Sequence, residues 1–87
     1  MSDTVKLMYF AWVREKVGMS SEVATLPKTA KTVGDVMAWL KTRGPEFKAA
    51  FENDTVIRAA IDQTHAQHDA SITDAREIAF FPPVTGG

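Results

Sequence analysis

The chain has 87 residues, 45% of them hydrophobic, which suits one small domain with a single core. Its formal net charge is −1 with both signs scattered along the chain, so we expect no nucleic-acid partner. No apolar run approaches the roughly 18 residues of a membrane span, and the N-terminus lacks a signal-peptide pattern. We therefore expect a cytoplasmic protein with no membrane partner. The absence of cysteine excludes disulfides, thiolate metal sites and thiol nucleophiles.

The first predicted element is a strand over residues 4–10, TVKLMYF. Its β-branched and aromatic residues favour extended structure. Because side chains alternate between the two faces of a strand, this segment divides into two sets. Val5, Leu7 and Tyr9 form one set, and Lys6, Met8 and Phe10 form the other.

Two helices and a second strand are predicted next. AWVREKVG predicts a short helix that ends at Gly18, and SEVATL, residues 21–26, predicts a strand. The strongest helix pattern covers residues 32–43, because it begins with a threonine N-cap and Asp35 follows at the capping-box position. We expect Gly44 to cap this helix, and EFKAAF to add another helical turn.

The last third of the chain predicts two strands, TVIRAAI at residues 55–61 and REIAFF at residues 76–81. The chain between the first and last strands is long enough for a crossover, so these strands can pair in parallel at the centre of a mixed sheet. The predicted fold class is α+β, a β-grasp (ubiquitin-like) arrangement with one main helix across the sheet. Residues 1–81 would form the domain, and residues 82–87 a flexible, extended C-terminal tail.

In this arrangement Phe10 and Phe81 lie on the sheet face that the helix leaves uncovered. Both would lie beside the start of the tail and, if their strands are neighbours, close to each other. Clustered exposed aromatic side chains are typical of binding surfaces. The alternative is that one ring folds over the sheet edge and covers backbone.

The chain ends in FFPPVTGG. A residue before proline is held extended and two prolines favour a polyproline spacer, so Pro82 and Pro83 carry the chain straight out of the last strand. Residues 82–87 could reach roughly 20 Å at full extension. Gly86 and Gly87 lack a Cβ and can pass through a narrow channel. The pattern favours a carboxylate presented to an enzyme over an ordinary disordered terminus.

These segments together resemble the small subunit of molybdopterin synthase, the MoaD branch of the ubiquitin-like sulfur carriers. FFPPVTGG resembles the terminal motif of that family, VKLMYFAWVREKVG its first strand and short helix, and TVGDVMAWL its main helix. The similarity covers nearly the whole chain, with residues 49–53 the least matched. Related carriers of thiamine synthesis also end in Gly-Gly but seldom have FFPPV before it.

The resemblance implies a role in molybdenum cofactor biosynthesis. A ubiquitin-activating-type adenylyltransferase would use ATP to adenylate the Gly87 carboxylate, and a sulfur donor protein would displace AMP to leave a thiocarboxylate. The tail would then enter the active site of the large subunit and give its sulfur to cyclic pyranopterin monophosphate. The chain itself would bind no cofactor. Catalytic chemistry would belong to the large subunit, in a heterotetramer.

The resemblance also implies roles for single residues. Gly87 would bear the sulfur. Five residues would lie along the channel of the large subunit: Pro82, Pro83, Val84, Thr85 and Gly86. Three residues would form the partner-binding surface: Phe10 and Phe81 as an apolar contact patch, and Arg14 as a cation that could pair with a carboxylate of the partner.

Two positions depart from the family pattern. His65 stands where an apolar contact residue is common, and Asp62 stands where asparagine is usual before Gln63. His65 and His68 also have a spacing that could bind a metal on a helix. They fall in a predicted polar loop, so no metal site is expected.

Three other functions fit the same residues. The carrier could serve thiamine, cysteine or tRNA thiolation instead. The chain could be a protein modifier joined to lysines, or a ubiquitin-like interaction module whose Gly-Gly end is never activated. Replacing Gly87, or adding one residue after it, would separate the interaction module from the carriers, because either change displaces the carboxylate.

Overall fold

The computed structural model describes residues 4–83, in which five strands and three helices form. The strands are β1 (Thr4–Tyr9), β2 (Ser21–Thr25), β3 (Arg58–Ile61), β4 (Thr64–Ala66) and β5 (Glu77–Phe81). The helices are α1 (Ala11–Val17), α2 (Val33–Leu40) and α3 (Pro45–Phe51). A 3-10 turn over Asp54–Val56 precedes β3, which therefore begins three residues later than predicted.

The strands form one mixed sheet in the order β2-β1-β5-β3-β4. β1 and β5 pair in parallel, while β2 and β3 add antiparallel on either side of them. The parallel pairing of the first and last strands is confirmed, and with it the α+β β-grasp fold. The C-terminal end of β5 consequently lies inside the sheet and not at its edge.

The strand β4 contradicts the prediction of a polar loop around His65. Asp62 and Gln63 have φ values of 49° and 71°, and they join β3 to β4 as a two-residue hairpin. The Asp62 carboxylate also accepts hydrogen bonds from the backbone N–H groups of Arg76 and Glu77, at 3.0 and 2.9 Å. The side chain of Asp62 thus holds this turn against the start of β5, although the turn contains no glycine.

The helix α2 begins as predicted and ends early. The Thr32 hydroxyl accepts a hydrogen bond from the Asp35 N–H at 3.1 Å, and the Asp35 carboxylate accepts one from the Thr32 N–H at 3.2 Å. The helix ends at Leu40, three residues before the predicted end. The prediction that Gly44 caps α2 is wrong, because Gly44 is the N-cap of α3 and Pro45 takes the first position of that helix.

One face of the sheet packs against the helices and forms the core. The inward side chains of β1 and β5 are buried as predicted: Val5, Leu7, Tyr9, Ile78 and Phe80. Tyr9 lies in an aromatic cluster with Phe47, Phe51 and Phe80, with ring centroids 6.3–6.4 Å from its own. This cluster joins the two central strands to α3.

A polar network satisfies the hydroxyl at the centre of that cluster. Tyr9 donates a hydrogen bond to Glu22 Oε2 at 2.7 Å, and Arg43 Nη1 lies 2.8 Å from the same oxygen. Burial, followed by the hydrogen bond to Glu22, raises the pKa of Tyr9 above its usual value. Burial opposes ionisation of Glu22, but hydrogen bonds from Arg43 and Tyr9 hold its pKa below the usual 4.5. The network ties β2 and the segment after α2 to the core.

Candidate functional site

The sheet face opposite the core, called the outer face below, carries the alternate side chains. A row of small or flexible apolar residues crosses it, because Met8 pairs with Ala79 and Ala79 pairs with Ala60. The row ends at the exposed His65 on β4, which pairs with Ala60. Period-two alternation places these side chains on the same face, which is therefore apolar along its middle.

Phe10 lies at the end of β1 on this face and is 42% exposed. Its N–H donates to the Phe80 carbonyl at 3.1 Å, which continues the pairing of β1 with β5 for one residue. Its carbonyl accepts a bond from the Arg14 N–H at 3.3 Å, since Phe10 is also the N-cap of α1. Backbone bonds on both sides thus fix the position of this exposed residue.

Phe81 is the last residue of β5 and is half-buried. Its ring centroid lies 6.3 Å from that of His65 with an interplanar angle of 64°, an edge-on contact. Within residues 4–83 Phe10 makes no aromatic ring contact, so the two phenylalanines expected near each other do not form a ring pair. The exposed aromatic surface instead extends from β1 across β5 to β4.

Two arginines lie on the same end of the domain. Arg14 is exposed on the first turns of α1, and Arg58 is exposed on β3 opposite Phe81. In the part of the chain that the structure describes, neither side chain forms an ion pair. By contrast, Arg43 pairs with Glu22 and lies 4.6 Å from the centroid of the Phe47 ring. We call Phe10, Arg14, Arg58, His65 and Phe81 the tail-end surface.

The tail leaves β5 beside the tail-end surface. Pro82 and Pro83 follow Phe81 directly and are half-buried. The remaining predicted channel residues, Val84, Thr85 and Gly86, and the predicted sulfur-bearing Gly87 lie outside the described residues. The described part of the chain therefore establishes where the tail starts: at the end of a strand inside the sheet, next to exposed aromatic and cationic side chains.

The two histidines have different surroundings. His68 Nε2 lies 2.6 Å from the Ile57 carbonyl oxygen, a contact that requires the ring proton on that nitrogen. His65 points onto the outer face. Among residues 4–83, no three His, Cys, Asp or Glu side chains are grouped closely enough to hold a metal ion. Nor does any helix in that range have the length and apolar character needed to cross a membrane.

Sequence reasoning assigned no role to Arg58 and treated His65 as a loop residue. Arg58 lies on the outer face because it is directly opposed to Phe81 in the pairing of β3 with β5, and this register could not be read from the sequence. The position of His65 requires β4, and a three-residue strand carries too short a pattern to be recognised.

Comparison with known proteins gives consistent matches over nearly the whole chain. The profile of the ThiS family matches residues 7–87. The molybdopterin synthase sulfur carrier subunit of Escherichia coli K12 is 39% identical over 84 residues, which cover 95% of this chain and 99% of that protein. The molybdopterin synthase sulfur carrier subunit of Dictyostelium discoideum is 33% identical, and the match covers all of this chain and all of that protein.

Solved structures give the same result. A protein described as molybdopterin converting factor, subunit 1, from Pyrococcus furiosus matches with a TM-score of 0.72 at 28% identity, covering 95% of this chain and all of that one. SAMP1 from Haloferax volcanii matches with a TM-score of 0.70 at 24% identity, covering 97% of this chain and 99% of that one. The second similarity concerns the fold alone.

Proposed function

This chain belongs to the ThiS family, and we propose that it is the sulfur carrier subunit of a molybdopterin synthase. The observation that carries the proposal is the similarity to three relatives of that name, at 32–39% identity over at least 95% of this chain. The similarity is not confined to core positions, because the family match continues through the tail to residue 87. The chain thus contributes to an enzyme complex as its small subunit.

The reactive group in this proposal is the Gly87 carboxylate. A carboxylate resists nucleophilic attack, so an adenylyltransferase first converts it to an acyl adenylate at the expense of ATP, releasing pyrophosphate. A sulfur donor protein then supplies sulfur at the oxidation level of sulfide; this sulfur bonds to the Gly87 carbonyl carbon, AMP leaves, and a thiocarboxylate remains on Gly87. Since the chain has no cysteine, a carried sulfur has no thiol side chain to occupy, and the terminal group takes that role.

The large subunit performs the catalytic chemistry in this proposal. The thiocarboxylate enters its active site and gives its sulfur to cyclic pyranopterin monophosphate, and hydrolysis of the bond between the Gly87 carbonyl and sulfur restores the carboxylate. The tail-end surface suits docking, because it combines the exposed ring of Phe10 and the half-buried ring of Phe81 with two arginines that form no ion pair within residues 4–83. Phe10, Arg14 and Phe81 contact the large subunit, and residues 82–86 follow its channel.

The assembly has two small subunits, one at each end of a large-subunit dimer. This heterotetramer follows from the family resemblance. The tail-end surface and the start of the tail lie at one end of β5, so one contact can dock each small subunit and insert its tail.

One added glycine after Gly87 tests the proposal. The extension displaces the carboxylate from the site of activation while leaving the tail-end surface unchanged. In a host whose own copy is deleted, we expect molybdopterin formation to be lost while the complex with the large subunit still forms. The control carries the same extra glycine at the N-terminus and retains activity. Full pathway activity of the C-terminally extended protein would contradict the proposal.

A further inference from the structure

We propose that Arg58 is a specificity-determining contact for the large subunit and that it binds a carboxylate side chain there. The inference rests on the proposed function, because it concerns the same docking surface. It adds a second cationic contact, besides Arg14, to a surface on which Phe10 and Phe81 supply the apolar rings.

The position of Arg58 makes it part of any contact made through Phe81. The two residues are directly opposed in the antiparallel pairing of β3 with β5. Opposed residues in such a pair lie about 4.5–5.5 Å apart at Cα and project from the same face. Arg58 is exposed, and Phe81 is half-buried against His65. A partner surface that covers Phe81 therefore also covers the base of Arg58.

Arg58 has no counter-charge within residues 4–83. Neither of the two ion pairs there includes it, and its guanidinium stacks on no ring. Asp69 lines the same shallow groove as Arg58 and His65 but forms no ion pair with either. The outer-face carboxylate of β5, Glu77, is four residues from Phe81, or about 13 Å along the strand. Residues 4–83 therefore leave this charge free for another molecule.

Docking would take the guanidinium out of water. A buried charge without a partner opposes binding strongly, whereas the planar guanidinium of arginine matches a carboxylate in a bidentate pair. A partner that covers Phe81 and offers only apolar atoms to Arg58 would therefore bind poorly. A partner with an Asp or Glu at that point would bind more tightly. Arg58 would thus discriminate between partners, because its charge stays unpaired in a complex that lacks this carboxylate.

The test compares Arg58→Gln with Arg76→Gln. Arg76 is a matched control: it is also exposed and outside every ion pair of the described residues, but it precedes the opposite end of β5. Titration calorimetry against the large subunit of the same organism, at low and at high salt, gives the affinities. The unfolding midpoints of both variants are measured as well. We expect them to equal that of the wild type, because both arginines are exposed.

We expect Arg58→Gln to weaken binding about tenfold to a hundredfold at low salt and to reduce its dependence on salt. Arg58→Lys should recover part of the affinity, since it restores the charge without the bidentate geometry. Arg76→Gln should bind like the wild type. Equal affinities of the wild type and Arg58→Gln at both salt concentrations would overturn the inference and leave the proposed function standing. A wild-type protein that fails to bind the large subunit would overturn both.

Discussion

Phe80 and Phe81 are neighbours of the same type in one strand, yet their surroundings are opposite. Phe80 is fully buried and packs its ring on those of Tyr9 and Phe51, at 6.3 and 5.2 Å. Phe81 projects from the other face and touches the ring of His65. The residue type does not decide which aromatic ring stabilises the fold and which is available for binding. The position of the residue in the two-residue period of the strand decides it.

The same division holds for the two faces of the whole sheet. Helices supply the second layer on the inner face, which completes a two-layer domain. The outer face retains exposed groups at the end where the tail begins. Inner-face substitutions should therefore change stability, and substitutions in the tail-end surface should change binding.

The largest effect is expected from Phe80→Ala. Removing a fully buried ring leaves a cavity, which lowers the free energy of unfolding by about 3–5 kcal/mol. That is a large share of the roughly 5–15 kcal/mol typical of a small domain. Urea unfolding followed by circular dichroism measures the change. A loss below about 1 kcal/mol would show that the two faces do not differ as described.

Phe81→Ala should act on binding instead. If Phe81 is a central anchor, affinity for the large subunit should fall by about 2 kcal/mol or more, roughly 30-fold, in titration calorimetry. The free energy of unfolding should change by less than about 1 kcal/mol, because the ring is only half-buried. Val23→Ala is the control: Val23 is 72% exposed on β2 and pairs with Lys6, away from the tail. An unchanged affinity for Phe81→Ala would remove Phe81 from the site.

Glu22→Gln tests the inner face through pH. The pKa of Glu22 is lower in the folded protein than its usual 4.5. Ionisation of Glu22 therefore favours the folded state, and this contribution is fully present at pH values above the usual pKa. This contribution is lost as pH falls through the lowered folded pKa. We expect the variant to be less stable by about 1–2 kcal/mol at neutral pH, with the difference shrinking in acid below about pH 4. A difference that does not vary with pH would contradict the network with Tyr9 and Arg43.

The smallest effect is expected from His65→Ala. The edge-on contact with Phe81 restricts that ring, and such aromatic contacts contribute about 0.5–1.5 kcal/mol. Affinity for the large subunit should fall by about two- to tenfold, with the unfolding transition unchanged since His65 is exposed. A loss as large as that of Phe81→Ala would mean that His65 is itself an anchor of the contact.

The sequence predicts the central part of the fold because long apolar patterns determine it. The alternation in the first and last strands predicted the buried and exposed faces correctly, and the length of chain between them allowed the parallel pairing that the structure shows. The placement of Phe10 and Phe81 on the outer face followed from that parity alone. Their roles in binding, and those of Arg14 and the tail, stay predictions.

The remaining features depend on contacts that no local pattern encodes. β4 has three residues, and its hairpin depends on positive φ at Asp62 and Gln63 without any glycine. The polar network joins Glu22 to Tyr9, which lies 13 positions earlier in the chain, and to Arg43, which lies 21 positions later. Gly44 before a proline suits both the end of one helix and the start of the next, and only tertiary packing decides between them.

The most direct test of the central claim is an intact mass of the protein isolated from its own host, untagged at the C-terminus, followed by fragmentation. Replacing oxygen with sulfur adds nearly the same mass as oxidation of one methionine, and the chain has four methionines, so fragmentation must locate the change. We predict sulfur on Gly87. A plain carboxylate on Gly87 in cells with an active pathway, both in the free protein and in its complex, would contradict the sulfur-carrier account and favour an interaction module.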